Sequence, residues 1–187
     1  CIFCPAGTLY DFKVRERSIK SVVDEIQECV DKYGIRDFLF HGDTFTLHKK
    51  WLIGLCKEIL HRGLDVHWGC NSRVDTIDDE RAEWMRKAGC WVVAFGFEHG
   101  NQEILDRMKK GARVEKAYDA VHICRRNGLQ VHGFFVIGMP WETQETLEET
   151  FQFVKSLDTD YFDFNIAYPL PGTEYYDIVQ RDNLFEV

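Results

Sequence analysis

Strand-like and helix-like segments alternate along the whole chain, and no two strands are joined by a hairpin signal. Ile19, Val22, Val23, Ile26, Val30 and Tyr33 recur three and four apart, the stripe of a helix covered on one side. Gly34 stops it, and Asp37-Phe38-Leu39-Phe40 follows as a short apolar strand. Leu47 to Leu60 repeats the helical pattern up to Gly63, and Asp65 to Trp68 reads as the next strand. A third helix opens on Asp78, Asp79 and Glu80 and closes on Arg86, Lys87 and Gly89, charges that complement its dipole. Trp91 to Phe97, Leu129 to Ile137 and Tyr161 to Tyr168 are further strands. Between and after them lie helices capped by Asn101 and Thr143, one over Val114 to Cys124, and a last one from Thr173. Strand centres near residues 39, 67, 94, 133 and 164 have the spacing of βα units, which predicts one parallel sheet.

The length of 187 residues suits one domain, with no linker or low-complexity stretch to divide it. Twenty-three Lys and Arg against thirty-one Asp and Glu give a net charge of −8, a poor match for a phosphate backbone. A nucleic-acid partner is therefore not expected. No apolar run approaches the ~20 residues of a bilayer span, and no signal segment is visible. Seven cysteines, five of them scattered, do not form a disulfide framework. The expectation is a soluble cytoplasmic protein. Because the chain opens on Cys1, it reads as a piece of a longer one.

In parallel βα folds, ligands meet the C-terminal ends of the strands. Those ends carry Gly42-Asp43, Asn71-Ser72-Arg73, Glu98-His99, Gly138 and Tyr168-Pro169. Polar residues after every strand favour a barrel over a doubly wound sheet, whose ligands gather at one switch point. Arg73 could pair a carboxylate and Asp43 an ammonium, while Glu98 and Asn71 could bond hydroxyls. Gly42 and Gly138 let backbone approach a flat ring. Such a rim suits an amino acid joined to a nucleoside. Among the histidines, His41, His67 and His132 read as packed strand residues and His48, His61 and His122 as helix surface. His99 alone is weighed as functional.

Cys1-Ile2-Phe3-Cys4-Pro5 admits four readings. A structural zinc site needs a second pair of like spacing, which the sequence lacks. A redox pair would open a helix, whereas Pro5-Ala6-Gly7-Thr8 reads as loop. The cysteines could be inert, or they could ligate an iron–sulfur cluster from a loop able to wrap it.

Taken together, the motifs resemble those of the radical S-adenosylmethionine (radical SAM) superfamily. Cys1-Ile2-Phe3-Cys4 matches the end of its CxxxCxxC motif, and Gly42-Asp43 stands where the family has Gly-Gly-Glu. Gly96-Phe97-Glu98-His99-Gly100-Asn101 looks like its Gly-x-Glu-Ser-Gly stretch, with His99 for Ser. Gly133 to Pro140 looks like the fifth-strand glycine motif, and Asn165 to Thr173 like the sixth-strand segment. His41 to Thr46 and the Pro-x-Pro-Gly-Thr close are most similar to the branch with an N-terminal cobalamin-binding domain.

The resemblance implies a core domain over 1–187, a partial TIM-type (β/α)6 barrel that begins at the second cluster cysteine and lacks its first strand. Cys1 and Cys4 would ligate a [4Fe–4S] cluster, the third cysteine lying four positions upstream. Phe3, Ile137 and Gly138 would border the adenine of S-adenosylmethionine, Gly42 would let backbone come close to the cofactor, and Asp43 would help hold the methionyl amine. Arg73 and Ser72 would take its carboxylate, and Glu98 with Asn71 its ribose. The implied chemistry is reductive cleavage to a 5′-deoxyadenosyl radical that abstracts hydrogen from a small-molecule substrate. An electron donor such as flavodoxin or ferredoxin, and cobalamin in the full-length protein, go with it. The stretch alone is expected to be inactive and to hold no stable cluster, with residues 1 to about 13 mobile or held by chain–chain contacts. A cluster-free barrel enzyme using Asp43, Glu98 and His99, or a nucleoside-binding module without chemistry, are the alternatives.

Overall fold

The computed structural model describes residues 1–11 and 13–185. Its five strands are β1 (Asp37–Phe40), β2 (His67–Ser72), β3 (Cys90–Glu98), β4 (Gln130–Ile137) and β5 (Tyr161–Ile166). They form one parallel sheet in sequence order, β1-β2-β3-β4-β5, the half-barrel that consecutive right-handed βα units generate. The helices are α1 (Ala6–Tyr10), α2 (Ile19–Tyr33), α3 (Lys49–His61), α4 (Asp79–Lys87), α5 (Gln102–Arg107), α6 (Val114–Arg126), α7 (Gln144–Leu157) and α8 (Glu174–Arg181). A 3-10 turn, Val74–Thr76, follows β2.

The period of two along each strand decides which face the helices cover. Trp68, Cys70, Val93, Phe95, Phe97, Val131 and Phe135 point one way, into a core shared with α2, α3, α4, α6 and α7. Phe97, Phe135 and Phe153 meet ring to ring there, and Phe40, Phe45 and Trp68 form a second aromatic group. The alternate residues, Leu39, Gly69, Asn71, Ala94, Gly96, His132, Phe134, Asp163 and Asn165, face the other way, onto the open side of the sheet. A smaller cluster of Ile2, Ile104, Leu105, Met108, Val136, Met139, Tyr175, Ile178 and Val179 closes the C-terminal end.

Several boundaries differ from the sequence pattern. The second strand runs to Ser72, because pairing with β1 and β3 extends residues 69–72 although Gly69 and Asn71 are poor strand formers. Asn71 and Ser72 are thus strand residues, not loop ones. The last strand stops at Ile166, and a short helix replaces the expected loop at Ala6 to Thr8. His41 lies beyond β1, and His48 precedes α3 as its cap position.

Inside the main core, Trp68 donates its indole N–H to the carbonyl of Ala88 at 2.7 Å, joining β2 to the end of α4. Trp68→Phe keeps most of the ring but orphans that buried carbonyl. The expected loss is about 1–3 kcal/mol, read from urea unfolding of the variant against the parent.

Candidate active site

The turn that carries Cys1 and Cys4 is pinned in place rather than loose. Ile2 is almost fully buried; its N–H donates to Met108 O at 2.9 Å, and its carbonyl accepts from Tyr175 N at 3.0 Å. The expectation of a mobile opening turn is corrected here: an apolar residue between the two cysteines gives the end cluster something to hold. Both thiols stay exposed. Phe3 packs, half-buried, against the same cluster.

Tyr175 also reaches the glycine turn after β4. Its phenol donates to Gly138 O at 3.2 Å, and burial together with the charge of Glu142 holds its pKa above the usual tyrosine value, so it stays a donor. Gly138 sits at φ 89°, a conformation that favours glycine. One oxygen of Glu142 takes the N–H groups of Gly138 and Met139, the latter at 2.6 Å. The other accepts from Nε2 of His99 at 2.9 Å. His99 is fully buried, and its Nδ1 accepts from Asn101 N at 3.0 Å. Both ring nitrogens are therefore committed, which fixes the neutral Nε2–H tautomer. His99 acts as a strut between the loop after β3 and the turn after β4.

Glu98 ends β3 with a positive φ of 65°, at a register irregularity between Gly96 and Glu98. This bulge folds the carboxylate back over Gly96, where it meets Nζ of Lys110 at 2.6 Å. A Cβ at residue 96 would lie 2.9 Å from that ammonium and on top of the Glu98 carboxylate, so only glycine leaves room for the pair. Arg73 lies alongside, with a guanidinium nitrogen 3.5 Å from Lys110 O. Its fork grips Asp75 through two 2.9 Å bonds, which hold the Asp75 carboxyl below the usual carboxylate range.

The predicted residues do not all share one contact network. Arg73 and Glu98 meet at Lys110; Ile2, Tyr175 and Gly138 join the cysteine turn to the end of β4. Asn71 faces the open side, its side-chain amide without a hydrogen bond among the described residues. The hydroxyl of Ser72 is buried with Thr46 and Thr76, at 2.5 Å from Thr46, and so braces the loops after β1 and β2. Gly42 and Asp43 line a separate cavity of about 780 Å³ beside the β1 edge, walled by α2, Phe38, Phe40 and the stretch after Cys4. Ile137 pairs with Ile166 at the top of the sheet. Lys110, Glu142 and Tyr175 escape the sequence pattern. The first reads as an ordinary basic helix end and the other two as loop and helix polars, although Glu142 does stand four residues past Gly138.

As a donor set, two exposed thiols on one turn fit two iron positions of a cluster, with a further thiolate needed. Among the described residues no group of three or more metal-type side chains assembles. Cys70 does not supply the third: it lies on the covered face, buried in the main core.

The sequence profile of the Radical SAM superfamily matches residues 1–154. This chain belongs to that superfamily. It is 38% identical over 184 residues to an uncharacterised methyltransferase of Pyrococcus horikoshii, covering 98% of this chain and 40% of that protein. It is 32% identical over 179 residues to the anaerobic magnesium-protoporphyrin IX monomethyl ester cyclase of Rubrivivax gelatinosus, covering 94% and 32% respectively. The chain therefore spans well under half the length of these relatives. The radical S-adenosylmethionine methyltransferase TsrM from Kitasatospora setae, solved with cobalamin and a [4Fe–4S] cluster, superposes with a TM-score of 0.81 at 26% identity. That match covers 89% of this chain and 32% of TsrM. The parallel half-barrel thus matches a partial radical SAM barrel, the family of enzymes whose cofactors are a [4Fe–4S] cluster and S-adenosylmethionine. No helix among the described residues is long and apolar enough to cross a membrane.

Burial separates the thiols chemically. It pushes Cys56 and Cys124 up to about 12, and Cys90 well above its ordinary value. Those three remain protonated thiols at about pH 8, where a thiolate is the reactive form. Iodoacetamide should therefore alkylate Cys1 and Cys4 in the folded protein and leave Cys56, Cys90 and Cys124 unmodified until urea is added, as read by peptide mass spectrometry.

Proposed function

We propose that residues 1–187 are the core domain of a radical SAM enzyme that binds a [4Fe–4S] cluster and S-adenosylmethionine. In the whole protein it works with cobalamin to methylate or otherwise modify a small-molecule substrate. One observation carries the reading: Tyr175 bonds Ile2, between the two cysteines, and Gly138, the glycine turn, at the same time. A cluster loop and an adenine-bordering turn have to be held in fixed relation, and this residue does so.

Each residue has a task in that reading. The thiolates of Cys1 and Cys4 hold two irons. Phe3, Ile137 and the Gly138 backbone border the adenine, and Glu142 and His99 keep that turn in shape. The Glu98 carboxylate and the Asn71 amide accept and donate to ribose hydroxyls. Lys110 and Arg73 offer positive charge to the methionyl carboxylate, while Ser72 holds the loop from which Arg73 extends. Asp43 and Gly42 approach the amine from the β1 side. When bound, the cluster supplies the electron that cleaves the sulfonium of S-adenosylmethionine to a 5′-deoxyadenosyl radical. The methyltransferase relatives and the cobalamin-containing neighbour support the wider assignment. A reduced flavodoxin or ferredoxin fits as electron donor. The competing hydrolase-like reading needs His99 as a ligand, and that ring is walled in with both nitrogens engaged.

The test uses the whole protein, reconstituted anaerobically with iron and sulfide and reduced with dithionite. About four irons per chain and 5′-deoxyadenosine or S-adenosylhomocysteine formation are expected. The Cys1→Ala, Cys4→Ala double variant should lose both, and its retaining full iron and turnover would contradict the reading. Glu98→Gln should weaken S-adenosylmethionine binding roughly tenfold by isothermal titration, a charge-assisted hydrogen bond having been lost.

A further inference from the structure

The open face of the sheet carries a second hydrogen-bonded polar pair that the cofactor site does not use. His132 Nε2 lies 2.8 Å from Asp163 Oδ2. Because the carboxylate accepts, Nε2 carries the ring proton, and in the neutral imidazole Nδ1 keeps its lone pair. Nδ1 has no hydrogen bond among the described residues. The ring is fixed from the side: Phe134 lies 4.5 Å and Tyr161 6.0 Å from it, centroid to centroid. A histidine on the solvent side of a strand rarely needs both a carboxylate and two aromatic neighbours to hold it.

Register places this pair against the cofactor site. His132 is level with Ala94 and, one strand further, with Asn71. Asp163 is level with Phe134 and then with Gly96, over which the Glu98–Lys110 pair sits. With strands ~4.8 Å apart, two strands put the pairs about 10 Å from each other on one face. Phe134 lies at the level between them, and Ala94 and Gly96 on β3 carry almost no side chain. The Phe134 ring is thus flanked by Glu98 and Lys110 on one side and by His132 and Asp163 on the other.

We propose that His132, oriented by Asp163, is a substrate-binding residue on the open face of the sheet. The site takes a flat compound that presents an N–H or O–H donor to Nδ1 and lays an apolar face on Phe134. This rests on the proposed function for the identity of the neighbouring cofactor site. The pair itself can be probed without cluster or S-adenosylmethionine, so its failure is distinguishable from failure of that reading.

Indole, a flat N–H donor, and 1-methylindole, the same body without the donor, are the probes. They are titrated into the whole protein carrying 13C-labelled histidine, with the His132 signal assigned by its loss in His132→Gln. Indole should shift that signal saturably and bind about fivefold more tightly than 1-methylindole, the worth of one hydrogen bond near 1 kcal/mol. Asp163→Leu should remove most of that preference, because no side-chain acceptor is left to hold the proton on Nε2, while the Phe134 contact is untouched. Equal binding of the two probes, or an unmoved His132 signal, would overturn the proposal.

Discussion

The helices cover one face of the parallel sheet and leave the other open, and the site depends on that asymmetry. On β2 and β3 buried Trp68, Phe95 and Phe97 alternate with small or polar Gly69, Asn71, Ala94 and Gly96, so a single register fixes both the core and the open face. Phe95 and Phe97 bind the helices while Ala94 and Gly96, their neighbours in sequence, leave space on the other side. A slip of one residue in β3 would put phenylalanine where the Glu98–Lys110 pair sits. The large core stabilises the fold and, through the pleat, shapes the open face.

The upper end of the sheet is organised differently, by hydrogen bonds from a few buried polar groups. Met108, Ile2, Tyr175, Gly138, Glu142 and His99 form one continuous path from the loop after α5, through the cysteine turn, to the loop after β3. Every member is buried or backbone, and among the described residues no buried side-chain polar atom lacks a partner. Fully satisfied networks of this kind rigidify loops that hydrophobic contact alone would leave free. Glu98, strained at positive φ, is held by the same logic: the Lys110 ion pair and the bulge over-determine it.

The alternation of βα units was legible because each apolar run has one clear period. The strand ends near Gly42, Arg73, Glu98 and Gly138 were legible because each closes an apolar run. Boundaries at β2 were not, since tertiary pairing overrides the weak propensity of Gly69 and Asn71. Lys110 and Tyr175 were hidden because their partners lie 12 and 37 residues away in sequence and chemistry alone does not reveal such pairings. Ser72 shows the opposite limit: its position was right for a ligand contact, but its hydroxyl is spent on Thr46 and Thr76. His132 read as packing, and only the register revealed that it lies on the open face.

The central proposal is that the cysteine turn, the Glu98 bulge and the Gly138 turn form a single cofactor site, with Tyr175 joining the first to the last. Hydrogen–deuterium exchange of the reconstituted whole protein, with and without S-adenosylmethionine, tests it most directly. The account predicts that amides of residues 1–4, 96–99 and 138–142 gain protection together when the ligand is added, and that Tyr175→Phe uncouples the first group from the last. Protection confined to one of the three segments, or identical profiles for Tyr175→Phe and the parent, would contradict it.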